Sequence, residues 1–192
     1  MATSRAPFLA ALALWVAASP SLGQAPGTAL DARPAPAFPG AAERWIGAPA
    51  SWPALRGRVV LLNVWTFGCV NCRRTLPWLK EAQARYGPRG LAFVGVHTPE
   101  LDFERERSRV EAFVAEQGLH WPHLIDGDYR YWRALENRYW PAVYLADRCG
   151  RLRARFVGEI HSGQPTGRRA EAEIERLLAE DACRMPGQPP PS

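Results

Sequence analysis

Two long apolar runs with an amphipathic segment between them dominate the first half of the chain. Residues 59–65 (VVLLNVW) and 91–96 are almost wholly hydrophobic, which is typical of strands buried on both faces of a sheet. Residues 72–86 lie between them and carry Leu76 and Leu79 at helical spacing. The order strand, helix, strand predicts two parallel strands joined by a right-handed crossover.

The second half of the chain predicts further short elements followed by a hairpin and a terminal helix. We expect a helix that begins at Thr98 as its N-cap and ends at Gly118. The other predicted elements are an edge strand at residues 45–46, a short strand at 123–125, helical turns at 129–135, strands at 142–145 and 152–159, and a helix from 170 to about 182. Together these elements predict an α/β domain over residues 43–184, with a central mixed β-sheet flanked by helices.

The first residues have the composition of an export signal. Arg5 precedes an apolar run at residues 8–18, and small residues then lead to an expected cleavage site after Gly23 or Ala25. This pattern predicts a signal peptide over residues 1–25. An uncleaved N-terminal anchor is the alternative, although the run is about half of the ~20 residues that a membrane-spanning helix needs. We therefore expect a periplasmic protein with no stable membrane insertion after signal cleavage.

Two Pro-rich segments flank the predicted domain. Residues 26–42 are rich in Pro, Ala and Gly and predict a flexible spacer, and residues 185–192 predict a disordered tail.

Charge argues against a nucleic-acid partner. The formal net charge is +5, but the basic residues are spread along the chain and alternate with acids, as in residues 104–107 (ERER). Such alternation is typical of a solvated helix face, and no basic block with interleaved aromatic residues occurs.

The most informative motif is the pair Cys69 and Cys72, separated by Val70 and Asn71 between a buried strand and a helix start. Unpaired N–H groups and the helix dipole stabilise a thiolate at this position, which makes Cys69 the expected nucleophile. Cys72, one turn further on, can close a disulfide with it. The redox-active disulfide is then the whole redox group, and no separate cofactor or metal is expected.

A metal site is one alternative use of the cysteine pair. A zinc site needs two more ligands at suitable spacing, which Cys149 and Cys183 do not offer. A copper chaperone could hold Cu(I) between the pair and His97 or His161.

A thiol peroxidase is a further alternative, suggested by the segment Thr66-Phe67-Gly68-Cys69. The peroxidatic pattern has a proline four residues before the threonine, where this chain has Leu62.

The run WTFGCVNCRRTLP resembles the active-site segment of exported thioredoxin-like proteins of the TlpA and ResA type. It is especially similar to the soluble thioredoxin-like domain of DipZ-type proteins, as are residues 95–100 (GVHTPE) and 137–142 (NRYWPA), so the likeness covers about residues 58–178. The resemblance implies a thioredoxin-like fold with a helical insertion and an N-terminal extension. It also implies a thiol-disulfide oxidoreductase that acts on exported protein thiols and disulfides, in cytochrome c maturation or disulfide reduction, with electrons from a membrane protein.

The resemblance also assigns roles to individual residues. Cys69 matches the exposed attacking cysteine, Cys72 the buried resolving cysteine, and Pro141 the cis-proline of the substrate groove. Glu100 matches an acidic active-site residue of the ResA type. Such an acid matters because Asn63 stands where thioredoxin has a buried acid, and a neutral amide cannot take the proton of Cys72.

Aromatic residues are expected around the cysteine pair, with Trp65, Phe67 and Trp140 lining the groove beside Pro141.

The remaining cysteines predict a structural disulfide. In a fold of this kind the last strand leads away from the hairpin turn and the terminal helix returns toward it, which would bring Cys183 near Cys149. The alternative is a shuttle in which this second pair exchanges with Cys69 and Cys72.

Overall fold

A single mixed sheet of seven strands organises the chain. The computed structural model describes residues 27–181 and residue 183. The strand order across the sheet is β1-β7-β6-β3-β4-β5-β2. The strands are β1 (Thr28–Pro34), β2 (Trp45–Ile46), β3 (Val59–Trp65), β4 (Leu91–His97), β5 (His123–Ile125), β6 (Ala142–Ala146) and β7 (Arg151–Val157). The α-helices are α1 (Trp52–Leu55), α2 (Val70–Tyr86), α3 (Arg107–Glu116), α4 (Arg130–Ala134) and α5 (Pro165–Ala179).

The central strands β3 and β4 confirm the predicted strand–helix–strand unit. They are parallel, every residue in both is buried, and α2 forms the crossover between them. The helix α2 begins at Val70, two residues before the predicted start, because Cys69 serves as its N-cap. The cysteine pair therefore follows the C-terminal end of β3 and lies at one end of the sheet.

The helix predicted to begin at Thr98 is wrong. Thr98 is buried, its hydroxyl is directed at the Asp126 carboxylate, to which it donates at 3.2 Å, and no helix begins at this residue. A 3-10 turn at Asp102–Arg105 follows instead, and α3 begins only at Arg107.

The spacer predicted at residues 26–42 is also wrong over most of its length. Residues Thr28–Pro34 form β1, which pairs with β7, and Phe38 stacks on Trp52 and Tyr131 at 5.0 Å. The composition of this segment indicated flexibility, but the segment pairs with the edge of β7 and places Phe38 in an apolar cleft. The predicted signal peptide and tail lie outside the described residues.

The hairpin and the terminal helix are confirmed, with α5 ending three residues before its expected end. The structure joins Cys149 in the β6–β7 turn to Cys183 by a disulfide, which is the pairing expected from sequence. Among residues 27–181 and 183, no helix is long and apolar enough to cross a bilayer.

Candidate active site

The two cysteines of the motif lie at the first turn of α2. The Cys69 Sγ atom accepts a hydrogen bond from the backbone N–H of Cys72 at 3.2 Å. Cys69 is half-buried, whereas Cys72 is only 4% exposed, and both are free thiols. The Cys69 sulfur is therefore accessible to an external disulfide, whereas the Cys72 sulfur lies buried behind it.

The thiols differ in acidity because of this arrangement. The Cys72 thiol donates a hydrogen bond to the Cys69 sulfur, and this contact lowers the pKa of Cys69 to about 7 against the opposing effects of burial and of the Glu100 charge. Burial raises the pKa of Cys72, and its hydrogen bond to Cys69 acts in the same direction. At neutral pH about half of the molecules thus carry a nucleophilic thiolate at Cys69, and Cys72 stays a protonated thiol.

We expect the alkylation of Cys69 by iodoacetamide to report this pKa. Since the thiolate is the reactive form, the rate should fall about tenfold for each pH unit below 7 and level off above it. Mass spectrometry of the Cys69 peptide measures the rate, and the urea-unfolded protein is the control, with a midpoint of about 8.5. The same midpoint in the folded and the unfolded protein would contradict the assignment.

A surface cavity of about 500 Å³ opens beside Cys69. Its lining includes Cys69, Glu100 and Trp140, and the Trp140–Pro141 peptide bond that follows is cis. Trp140 is half-buried, and its indole N–H donates to the Thr98 carbonyl at 2.9 Å. The structure therefore brings together Cys69, Cys72, Glu100, Trp140 and Pro141 at one end of the sheet.

Trp65 and Phe67 do not line the groove as predicted. Trp65 is 1% exposed and stacks on Phe113 at 5.5 Å, because the last side chain of β3 faces α2 and α3. Phe67 is 6% exposed and packs edge-on against Phe103 at 5.6 Å.

Four other apolar side chains lie on the outside of the molecule near the pair. They are the large hydrophobic residues that are exposed in the described part of the chain: Val70 (57%), Leu101 (54%), Phe103 (44%) and Tyr139 (61%). Sequence reasoning missed them because they follow no periodic pattern, although each is within three residues of a predicted site residue.

Asn63 and Glu100 lie in different surroundings, one in the sheet and the other at the cavity. Asn63 is buried in the middle of β3, opposite Gly95 and Val143, so the position that holds an acid in thioredoxin is neutral here. Glu100 is exposed at the cavity, and its charge raises the pKa values of both thiols. Its part in proton transfer stays a prediction.

Glu104 was missed. The ERER alternation predicted a solvated face, yet Glu104 is 1% exposed and its carboxylate accepts the backbone N–H of Gly68, the residue before Cys69, at 2.9 Å. A glutamate three residues after the N-cap of a short helix was the available signal, since such residues bind free N–H groups there.

Each histidine considered for copper has a polar neighbour other than the cysteine pair. The His97 Nε2 atom lies 3.2 Å from the Thr66 hydroxyl, and burial lowers the pKa of His97 to about 4, so its ring is neutral at physiological pH. His161 lies 2.8 Å from the Glu159 carboxylate. Over residues 27–181 and 183, no three His, Cys, Asp or Glu side chains are grouped so as to hold a metal ion.

The Cys149–Cys183 disulfide lies at the opposite end of the sheet from the pair. In the antiparallel register of β3 and β6, Ala142 faces Val64 near the active site, whereas Ala146, which leads into the Cys149 turn, faces Val60. The length of a strand thus separates the two pairs, and an intramolecular shuttle between them would require a large rearrangement.

The fold and this cysteine pair define the class of thioredoxin-like thiol-disulfide oxidoreductases. The chain belongs to the Redoxin family, whose model matches residues 32–175. DipZ of Mycobacterium tuberculosis is 40% identical over 119 residues, which are 60% of this chain but 17% of DipZ. The thiol-disulfide oxidoreductase YkuV of Bacillus subtilis is 27% identical over 137 residues, covering 71% of this chain and 88% of YkuV. A solved thioredoxin-like protein in the oxidised form superposes with a TM-score of 0.66 at 26% identity, covering 77% of this chain and 96% of that one.

Proposed function

We propose that the protein reduces disulfides of exported proteins by exchange at Cys69 and Cys72. The Cys69 thiolate attacks a substrate disulfide, one substrate sulfur leaves as a thiolate and takes up a proton, and a mixed disulfide forms. Cys72 then loses its proton and attacks the Cys69 sulfur, which releases the second substrate thiol and leaves the Cys69–Cys72 disulfide. The observation that carries the proposal is the asymmetry of the pair, with one accessible sulfur and one buried sulfur behind it.

The acidity of Cys69 supports the reducing direction. A low thiol pKa stabilises the reduced form and makes a pair oxidising, as in DsbA, where the pKa is about 3.5, whereas the pKa in the reductant thioredoxin is about 7. The pKa of Cys69 is about 7 and matches the reductant. Both roles implied by the family resemblance, cytochrome c maturation and disulfide reduction, consume reducing equivalents in this direction.

The location and partners belong to the same proposal. The expected signal peptide would deliver the chain to the periplasm, where thiols are oxidised, so each turnover needs new electrons. A membrane protein that carries electrons outward from the cytoplasm would reduce the Cys69–Cys72 disulfide. The protein substrates would bind along the Trp140–Pro141 edge, where proline offers a carbonyl but no N–H to an extended peptide.

Reduction of insulin disulfides in the presence of dithiothreitol tests the activity. The wild-type protein should accelerate it, and Cys69→Ser should lower turnover by roughly a thousandfold or more, because a serine hydroxyl is not ionised at neutral pH. The matched control is a Cys149→Ser, Cys183→Ser double variant, which should keep the activity at a temperature where it is folded. No acceleration by the wild type, or an active Cys69→Ser variant, would contradict the proposal.

A further inference from the structure

A buried carboxylate joins two loops of the active site and has no part in the exchange steps. The Glu104 Oε1 atom accepts the Gly68 N–H at 2.9 Å, and Oε2 accepts the N–H groups of Glu100 at 2.6 Å and Leu101 at 2.8 Å. A carboxylate that is 1% exposed is costly unless hydrogen bonds replace its water. Three backbone donors provide that replacement.

The donors come from two segments that are far apart in sequence. Gly68 directly precedes Cys69 in the loop after β3, whereas Glu100 and Leu101 lie in the loop after β4. Glu104 therefore links the loop that carries the nucleophile to the loop that carries the acidic residue of the cavity.

Gly68 permits this link because it lacks a side chain. A Cβ atom at position 68 would lie 2.3 Å from Glu104 Oε1 and 3.0 Å from the Phe103 ring. Both contacts are too close, so a larger residue would displace the carboxylate. The glycine before Cys69 and the buried glutamate thus depend on each other.

The loop that Glu104 holds carries groups that act at Cys69. Glu100 lines the cavity together with Cys69, and its negative charge acts on both thiols. Leu101 and Phe103 are exposed on the same loop, and the Phe103 ring also packs on Phe67. A shift of this loop would change both the field at the sulfur and the apolar surface beside it.

We propose, building on the exchange reaction proposed above, that Glu104 is a positioning residue that fixes the Glu100 carboxylate relative to the Cys69 sulfur. It does so through hydrogen bonds to Gly68 on one side and to Glu100 and Leu101 on the other. Glu104 itself neither attacks nor transfers a proton.

The substitution Glu104→Gln removes one side of this link while keeping the shape of the side chain. The amide has one oxygen and one NH₂ group, so it cannot accept N–H groups at both ends. In one of the two loops a backbone N–H would then lie against the NH₂ group, and two donors cannot form a hydrogen bond with each other. The loops should then separate, and Glu100 should act less on Cys69.

The test is the pH profile of Cys69 alkylation in a double-mutant cycle with Glu100→Gln. Glu100→Gln should lower the midpoint by roughly half a pH unit, because removing a nearby negative charge favours the thiolate. Glu104→Gln alone should lower it by a similar amount, and adding it to Glu100→Gln should cause no further shift. A purely structural role would leave the midpoint unchanged while lowering the melting temperature.

Two further variants keep the test decisive. Glu106→Gln changes an exposed acid of the same segment, which binds Ser108, and should leave the midpoint unchanged. If Glu104→Gln does not fold, Gly68→Ala displaces the carboxylate from the other side and should give the same midpoint shift, again absent when Glu100 is Gln.

An unchanged midpoint in folded Glu104→Gln or Gly68→Ala would overturn the proposal, as would equal shifts with and without Glu100. Alkylation needs no protein substrate, so this outcome is distinct from a failure of insulin reduction, which would count against the proposed function alone.

Discussion

Replacement of Cys72 by Ser should arrest the reaction at the mixed disulfide. Cys69 keeps its sulfur at the cavity and can attack, but no thiol remains behind it to resolve the adduct. We expect one substrate molecule to become attached to each protein molecule and turnover to fall by roughly a thousandfold. Non-reducing electrophoresis followed by peptide mapping detects the adduct and its position.

The control for this trap is Cys69→Ser, which retains the buried Cys72 and should form no adduct. Adducts on Cys149 or Cys183, or undiminished turnover of Cys72→Ser, would contradict the order of the two sulfurs. With an exported-protein extract and with membranes as separate baits, the same variant tests the proposed substrates and the proposed electron donor.

Removal of the Cys149–Cys183 disulfide should lower stability without affecting the exchange chemistry. The crosslinked residues are separated by 34 positions, for which the chain-entropy model gives roughly 3 to 4 kcal/mol. For a domain of this size that corresponds to a fall in melting temperature of about 6 to 16 °C. Thermal unfolding of the Cys149→Ser, Cys183→Ser double variant, with Cys69 and Cys72 reduced in both proteins, measures the change.

Insulin reduction at low temperature is the internal control for that experiment. Because the disulfide lies across the sheet from Cys69, the rate should stay within about twofold of wild type. A loss of activity in the folded double variant would instead favour the shuttle between the two pairs.

Much of the fold follows from local patterns, because β3, α2 and β4 are long, uniformly apolar or strongly periodic. The short insertion does not, since its geometry depends on contacts between distant residues. Thr98 has the sequence context of a helix cap, but its hydroxyl donates a hydrogen bond to Asp126, 28 residues later. The N-terminal strand shows the same limit, because its pairing depends on a free edge of β7 that composition does not reveal.

The chemistry of the site is partly visible in sequence for the same reason. The spacing of Cys69 and Cys72 alone indicates a helix-start dithiol, and the structure adds which sulfur is accessible. The depth of Trp65 and the burial of Glu104 could not be predicted, because both depend on how the loops after β3 and β4 fold over the sheet end. Charge alternation is a guide to exposure only where no backbone donors point at the acid.

The most direct test of the exchange chemistry is a redox titration of the Cys69–Cys72 couple in thiol buffers at several pH values. The reducing direction predicts a reversible two-electron couple with a midpoint at pH 7 near that of thioredoxin, about −270 mV. Since Cys69 ionises at about pH 7 and Cys72 stays protonated, the midpoint should fall by about 59 mV per pH unit below pH 7 and by about 30 mV above it. A midpoint near the DsbA value of about −120 mV, or the absence of a reversible Cys69–Cys72 disulfide, would contradict the account.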